Sequence, residues 1–443
     1  MLLRSQKIFY GWFIIAASAL GICFGYIGTA IYAFSAFTLP LTAEFGWSRG
    51  AVSLGMTCAH TTTIVATPLL GILIDKKGVR RPLLISTFLF GCILCLFYFL
   101  NQHIWLFYLG MVLLTALGCG TSSVTYVRLL VTWFNRRKGL ALALGVSGAG
   151  LGALILPPLV SWIIERNGWR DAFLVLGATN LLLVVPVIYL IVRNSPADVN
   201  AYPDGELPAR DDAGMRQAIG APSYAFRECL HTTTFWKLAV ATLLLGIALN
   251  GTVSQIIPLL IDRGVPRHSA GDLASVLGLS VIVARLGTGY LLDRFHAPFV
   301  AAGLLICPVF GFLGLAMMPG EKMAALTLVS FGIGLGLEFD ALGYFCVQYF
   351  GHAALGRIYA TLFVLFSVGG AAGSYLAGYS YDVFSSYTLL LFCGAVATFI
   401  AVAFIASLGD YPRPMSRFMS PPRDIRAREP GDSRKAPVSP AKS

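Results

Sequence analysis

The stretch GILIDKKGVRR, residues 71–81, forms a short basic loop between two long apolar runs. The flanking runs cover residues 50–73 and 82–100, and each approaches the roughly 20 residues that a helix needs to cross a bilayer core. A weaker echo of the loop, GYLLDR, follows at residues 289–294. Two related charged loops between apolar runs predict a membrane protein built by duplication.

The composition of the whole chain agrees with lipid as its main solvent. Hydrophobic residues make up 57% of the 443 residues and charged residues only 12%, whereas soluble domains average about 25% charged. Apolar runs predict an all-α protein with twelve transmembrane helices. The predicted spans are residues 12–39, 50–73, 82–100, 104–132, 139–164, 170–192, 236–261, 270–292, 298–318, 323–348, 356–380 and 387–408. The first run is too long for the core of a cleavable leader, so we expect a span there.

The spans divide the chain into four regions. We expect an N-terminal six-helix bundle over residues 1–193, a polar linker over 194–235, a C-terminal bundle over 236–409 and a disordered tail over 410–443. Basic residues concentrate in the loops after the second and fourth spans, in the linker and in the tail. The positive-inside tendency therefore predicts that these segments and both termini are cytoplasmic. It also explains the net charge of +11 without nucleic-acid binding.

The two halves repeat at one constant spacing, which we call the repeat offset and define by the step from Pro40 to Pro258. The same step aligns Gly46 with Gly264, Gly71 with Gly289, Asp75 with Asp293, and Trp169 with Tyr387. Such an offset predicts two parallel halves related by an axis along the membrane normal. In repeats of this kind the solute site lies near the midplane between the halves.

The loop at residues 71–81 and its echo resemble the signature of the major facilitator superfamily, which implies the major facilitator fold. Other stretches resemble bacterial-type members of its monocarboxylate transporter and oxalate–formate antiporter branch. They are Gly11-Trp12, FGWSR at 45–49, WFNRRKGLA at 133–141, and Glu338-Phe339-Asp340 with YFG at 349–351. This resemblance implies a small organic anion as solute. It also implies a protein of the bacterial inner membrane, and we expect a monomer to be sufficient for transport.

Arg285 is the most informative single residue. It lies in an apolar stretch eight residues before Asp293, so about 12 Å from the end of its span at 1.5 Å per residue. A charge at a helix centre costs about 2.5–3.5 kcal/mol, and a guanidinium matches a carboxylate through two hydrogen bonds. The resemblance implies the same role, since family members bind substrate carboxylate with an arginine here. A buried ion pair with Glu338 or Asp340 is the structural alternative.

Two carboxylates in the tenth span are candidates for proton coupling. Glu338 and Asp340 are two residues apart, so they point to different faces of a helix. Asp340 shares its helix face with Tyr344, and we prefer Asp340 over Glu338 as the carboxylate that faces the solute cavity between the halves. Burial disfavours the charged form of a carboxylate, which allows proton binding near neutral pH. The alternative is that both are structural; His60 in the second span is a third candidate.

Four polar residues are candidates for solute binding beside Arg285: Tyr126, Tyr344, Asn250 and Gln255. A tyrosine hydroxyl can donate to a carboxylate, and the resemblance supports a tyrosine in the fourth span. Polar groups within apolar helices also form interhelical hydrogen bonds, which is the alternative for Asn250, Gln255 and His60.

Three departures from the family pattern bear on the solute and its coupling. Many bacterial members carry histidine where Gln255 stands, and some animal lactate carriers carry lysine where Ala30 stands. The eleventh span has no lysine, the second cation expected of an oxalate carrier. A monocarboxylate is therefore favoured over a dicarboxylate.

The loop residues Gly71, Asp75, Arg80, Asp293 and Arg294 are predicted to act in gating. We expect Asp75 to pair with a cation across the interface of the halves in one conformation only. The sequence predicts no cofactor and no metal site.

The sequence thus predicts secondary active transport of a small monocarboxylate by proton symport or anion exchange. A carrier of a larger amphipathic compound, such as a drug or siderophore, is the main alternative, and a transporter-like membrane sensor is a weaker one. An enzyme is disfavoured because no HExxH or GxSxG motif occurs. A simple channel is disfavoured by the duplicated halves.

Overall fold

The fold is a bundle of long apolar helices. The computed structural model describes residues 9–205, 226–317, 320–351, 355–409 and 411, without the side chains of Asp293, Phe339 and Asp340. Twelve described helices are long and apolar enough to cross a membrane, which confirms the predicted architecture. They are α1 Gly11–Phe45, α2 Arg49–Lys77, α3 Arg80–Phe99, α4 Ile104–Trp133, α5 Lys138–Asn167, α6 Trp169–Ile191, α7 Thr233–Val253, α8 Arg267–Arg294, α9 Ala297–Met317, α10 Glu321–Phe350, α11 Leu355–Phe384 and α12 Thr388–Ala406.

The repeat seen in the sequence is also present in the backbone. Helix α1 contains a π-helical segment at Ile27–Ala33, and α7 contains one at Gly246–Asn250. The repeat offset superimposes these two segments. The chain also turns through glycines in the left-handed region at equivalent places, Gly46 with φ +68° and Gly264 with φ +86°. π-Helical turns inside α-helices frequently mark functional sites, so both halves present an irregular turn at the same depth.

Glycine contacts bring the irregular helices close to their neighbours. A Cβ on Gly152 of α5 would lie 2.8 Å from Gly28 of α1. A Cβ on Gly251 of α7 would lie 2.7–2.8 Å from the backbone of Gly373 of α11. Small residues allow this approach, and packing of this kind holds helices together where lipid removes the hydrophobic driving force.

The halves meet along two helix pairs, α2 with α11 and α5 with α8. The Thr57 hydroxyl of α2 donates to the carbonyl of Ala371 in α11 at 2.8 Å. In the other pair, a Cβ on Gly278 of α8 would lie 2.6 Å from Cα of Leu154 in α5. We call the membrane face that carries the loops after α2 and α4 the basic side, and the other face the opposite side.

The start of the linker is fixed to the basic side of the N-terminal half. The Asp204 carboxylate accepts hydrogen bonds from the backbone N–H groups of Asn135 and Arg136, both at 2.7 Å. Partial burial opposes ionisation, but these hydrogen bonds outweigh it and hold the pKa of Asp204 below its ordinary value. A short helix, Phe226–Leu230, then leads into α7. The rest of the predicted linker, residues 206–225, lies outside the described residues, as does the predicted tail apart from Tyr411.

We expect Gly251→Ala to lower the apparent melting temperature of the purified protein. The added methyl group meets the backbone of Gly373, and overpacking of this kind costs about 1–3 kcal/mol. Gly303→Ala in α9 is the matched control, because a Cβ there meets nothing within 4 Å. Thermal unfolding in detergent measures both. Equal melting temperatures for the two variants would contradict the close packing of α7 against α11.

Candidate functional site between the two halves

Arg285 reaches from the C-terminal half to the N-terminal half. Arg285 is 9% exposed. Among its contacts, the guanidinium Nη1 donates a hydrogen bond to the carbonyl of Val146 at 3.3 Å. Val146 ends the first segment of α5, Lys138–Val146, and the helix resumes at Gly148. The guanidinium thus lies at the junction of these two segments of α5, where the two halves contact each other.

Tyr32 lies near the same charge, although it is not among the predicted site residues. It is half-buried on the π-helical segment of α1. Its phenol lies within electrostatic range of both Arg285 and Glu338. A tyrosine in an apolar run does not by itself indicate a functional site. The repeat offset aligns Tyr32 with Asn250, a predicted site residue, and this equivalence could have identified Tyr32 from the sequence.

Glu338 is buried beside the same helix that carries Arg285. Its residue is 6% exposed, and neither carboxyl oxygen has a hydrogen-bond partner among the described residues. Helices α10 and α8 approach closely here, since a Cβ on Gly336 would lie 2.8 Å from Ala284 and 3.2 Å from the backbone nitrogen of Arg285. The side chain of Asp340 lies outside the described residues, so the preference for Asp340 stays a prediction.

Gln255 contacts the other half on the opposite side of the membrane. Its Nε2 donates to Oγ of Ser53 at 2.7 Å, and its Oε1 accepts from the Tyr387 hydroxyl at 3.1 Å. The residue is fully buried, at the break between α7 and the helical segment Ile256–Asp262. In this conformation the amide therefore joins the two halves, and its predicted contact with solute stays a prediction.

Arg49 is the centre of a cluster of contacts beside Gln255. Its Nη1 donates to Oδ2 of Asp262 at 2.6 Å and to the Tyr387 hydroxyl at 3.1 Å. Its guanidinium lies 3.5 Å from the centre of the Tyr381 ring. The Asp382 carboxylate accepts the N–H of Arg49 at 3.0 Å. We call Arg49, Asp262, Tyr381, Asp382 and Tyr387 the opposite-side latch.

The N-terminal half satisfies its equivalent acid within itself. Glu44, which the repeat offset aligns with Asp262, pairs with Arg170 at 2.5 Å and accepts from Nε1 of Trp169 at 2.5 Å. The residue equivalent to Arg170 is Thr388. Because the C-terminal half lacks an arginine at that position, Asp262 pairs with Arg49 of the other half.

Every hydrogen bond between the halves whose two partners are described lies on the opposite side or near the membrane centre. Towards the basic side, a Cβ added to Gly71 of α2 or to Gly287 and Gly289 of α8 meets nothing within 4 Å. The hydrogen bonds that join the halves, among the described residues, are thus concentrated away from the basic side.

Three further predicted site residues are buried. Tyr126 is fully buried beside Gly21 of α1, and its hydroxyl has no hydrogen-bond partner among the described residues. Asn250 is buried on the π-helical segment of α7. His60 Nδ1 lies 2.9 Å from the carbonyl of Met56, and a Cβ on Gly370 of α11 would lie 3.2 Å from Nε2. His60 thus lies at the contact of α2 with α11.

Tyr344 forms a hydrogen bond that the sequence did not predict. Its hydroxyl forms a hydrogen bond with Tyr411, which also accepts the N–H of Ala297 at 3.1 Å. The Tyr349 hydroxyl donates to the carbonyl of Gly409 at 2.6 Å. These contacts tie the segment after α12 to α9 and α10. A role of Tyr344 in solute binding stays a prediction.

The predicted gating residues make contacts within their own halves. Asp75 pairs with Arg128 of α4 rather than across the interface, so the expected pair between the halves is not formed here. Arg80 donates to the carbonyl of Tyr189 at 2.8 Å. Arg294 lies 4.7 Å from the centre of the Tyr290 ring. The side chain of Asp293 lies outside the described residues.

We expect Arg49→Gln to open the opposite side, because it removes the charge that joins α2 to Asp262. The measurement is labelling of Ser53→Cys by a membrane-impermeant maleimide in nanodiscs, corrected for the native cysteines. Labelling should rise several-fold over the same protein with Arg49 intact.

Thr388→Arg should have a similar effect, because it gives Asp262 a partner within its own half. Arg170→Gln is the matched control, since it breaks the equivalent pair inside the N-terminal half. Equal labelling of all variants would show that the latch does not hold the halves together.

Comparisons with known proteins support this architecture. The D-xylose–proton symporter superimposes with a TM-score of 0.71 at 13% identity, covering 92% of this chain and 99% of that one. A bacterial homologue of the human lysosomal transporter Spinster, inward-facing and unoccupied, superimposes with a TM-score of 0.64 at 15% identity, covering 91% and 97%. At such identities the likeness shows the fold alone.

Sequence relatives are found in animals and bacteria. Rat monocarboxylate transporter 12 is 26% identical over 89% of this chain and 84% of the relative. The uncharacterized MFS-type transporter YhjX of Escherichia coli is 24% identical over 77% of this chain and 81% of the relative. The Major Facilitator Superfamily model matches residues 18–374. With twelve helices in two repeated halves and a match over most of its length, the chain belongs to the major facilitator superfamily.

Proposed function

We propose that this protein is a proton-coupled carrier of small monocarboxylates that works by alternating access, with anion exchange as a partial reaction of the same cycle. The observation that carries the proposal is the buried guanidinium of Arg285 at the interface of the halves, within electrostatic range of Tyr32, which is also within range of Glu338. The similarity to rat monocarboxylate transporter 12 supports the same solute class.

Arg285 supplies the recognition of a carboxylate. Its planar guanidinium presents paired donors that match the two oxygens of the solute. Charge interactions are stronger in an apolar interior than in water, so one buried arginine suits one negative charge. Tyr32 adds a hydroxyl that can donate to the same anion. Helix α11 contains no lysine, and its arginine, Arg357, lies in its first turn. This composition supports a monocarboxylate over a dicarboxylate.

A proton bound at Glu338 would balance the charge of the anion. Moving the anion and a proton together transfers no net charge through the apolar core, where an isolated charge is costly. Tyr32 lies near both Arg285 and Glu338, so the solute and the proton would occupy neighbouring positions. Asp340 and His60 remain further candidates for the proton. Asn250, Gln255, Tyr126 and Tyr344 remain candidates for contact with the solute in other states of the cycle.

The conformation described here corresponds to one end of the transport cycle. The latch joins the halves on the opposite side, and no hydrogen bond between described residues joins them at the basic side. If the basic side is cytoplasmic, as the positive-inside tendency indicates, this state is open to the cytoplasm of a bacterial cell. In the other state the gating residues Gly71, Asp75, Arg80, Asp293 and Arg294 would meet the other half, and Asp75 would exchange Arg128 for a partner there. Each protomer holds a complete pathway, so a monomer would suffice.

We expect proteoliposomes with the wild-type protein to take up one of labelled lactate, pyruvate or acetate in preference to oxalate, and faster under an inward proton gradient. Arg285→Ala should weaken apparent affinity about 10- to 100-fold, since a hydrogen bond to a charged group contributes about 1.5–3 kcal/mol. Arg285→Lys keeps the charge but loses the planar fork, so it should fall between wild type and alanine. The measurement is initial uptake against anion concentration.

Two results would contradict the proposal. One is uptake of none of these anions by a folded, reconstituted protein. The other is normal anion transport by Arg285→Ala. The first result would favour the carrier of a larger amphipathic compound, and a competition screen with such compounds would follow.

A further inference from the structure

Glu338 faces a small cavity that is lined only by residues of the C-terminal half. The cavity has a volume of about 30 Å³ and lies between α7, α9, α10 and α12. Its walls are aliphatic and aromatic apart from two side chains, Glu338 and Thr242. One water needs roughly 10–15 Å³ of such space together with two to four polar partners. The cavity is therefore large enough for a water, and its polar groups lie on α7 and α10.

The polar groups that line the cavity match the hydrogen-bonding capacity of one water. The Thr242 hydroxyl donates to the carbonyl of Leu238 at 2.6 Å, so its oxygen is left as an acceptor. The carboxyl oxygens of Glu338 have no partner among the described residues. A neutral carboxylic acid offers one O–H donor and one carbonyl acceptor. One water would then donate to Thr242, donate to the Glu338 carbonyl and accept from the Glu338 hydroxyl, which is the usual number of bonds for a buried water.

The surroundings favour the neutral form of Glu338. The cavity walls from α7, α9 and α12 carry no charge. Among the described residues of other helices, Tyr32 on α1 lies within electrostatic range both of Glu338 and of Arg285 on α8, while the side chain of Asp340 is not described. An unpaired carboxylate in an apolar site is costly, and such a group takes up a proton instead. A bound proton and a water together would satisfy both carboxyl oxygens of Glu338, so that no cationic side chain is needed beside them.

We propose that Glu338 and a water held by Thr242 form the proton-binding site of this carrier, inside the C-terminal half and separate from the carboxylate site at the interface. The inference rests on the proposed function for its role in transport. A proton adds to the Glu338 carboxylate to give the acid, and the same O–H bond breaks when the proton leaves on the other side. Helix α10 connects the two sites, because its Gly336 lies against Arg285 and its Glu338 against the cavity.

Glu338→Gln tests the role in coupling. The amide keeps a donor and an acceptor for the water but cannot release a proton, so it fixes the site in its neutral form. We expect exchange of internal for external anion to continue at close to the wild-type rate. Accumulation driven by a proton gradient should be lost. Accumulation by Glu338→Gln at the wild-type level would overturn the assignment, and so would loss of exchange in a variant that keeps its melting temperature.

Infrared difference spectroscopy tests the hydrated acid independently of any transported solute. Purified wild-type protein titrated with acid and base should show the carbonyl stretch of a protonated carboxyl group, which Glu338→Gln removes. Thr242→Val keeps the shape of the side chain but removes the second partner of the water, so the band should shift while the melting temperature stays the same. Leu238→Val, on the same wall, leaves Thr242 intact and is the control that should not shift the band.

No band assignable to Glu338, or no shift with Thr242→Val, would overturn the site even if anion uptake is observed. If anion uptake fails but the band behaves as expected, the proposed solute is wrong and the proton site stands.

Discussion

The guanidinium of Arg285, held in an apolar interior between two bundles, is the constraint on which the arrangement of the site depends. A charge at this depth is stable only if the surrounding groups satisfy it. The carbonyl of Val146 at the junction of the two segments of α5 and the phenol of Tyr32 on an irregular turn of α1 both belong to the other half. The buried charge thus joins the two halves near the membrane centre. Any solute that binds it must enter where the halves separate.

Duplication gave the two halves the same framework, and a few differences between them determine on which side of the membrane the halves are joined. Both halves carry a π-helical segment at the same depth and a left-handed glycine at the same turn. An acid is also retained at equivalent positions of the two halves, as Glu44 and Asp262. The partner differs, because Arg170 is present in one half and Thr388 stands in its place in the other. One missing arginine therefore turns an internal ion pair into a contact between the halves, centred on Arg49.

Sequence reasoning reached the fold because its signals are local. Apolar runs of sufficient length predict spans wherever they occur, and a constant offset between halves predicts their symmetry. The burial of Arg285 was also predictable, since the residue lies inside an apolar run. Tyr32 was missed because its relevance comes from a π-helical turn and from neighbours on α8 and α10. The contacts of Gln255 with Ser53 and Tyr387, and of Tyr344 with Tyr411, depend on tertiary packing and on the conformational state. A single sequence does not contain that information.

The most direct test of the account is a structure of the protein with a transported anion bound, determined by cryo-electron microscopy with the anion that uptake identifies. The account predicts density for the carboxylate within hydrogen-bonding distance of the Arg285 guanidinium, on the side that faces Tyr32. Density for the anion elsewhere, with the contact of Arg285 to Val146 unchanged, would contradict it.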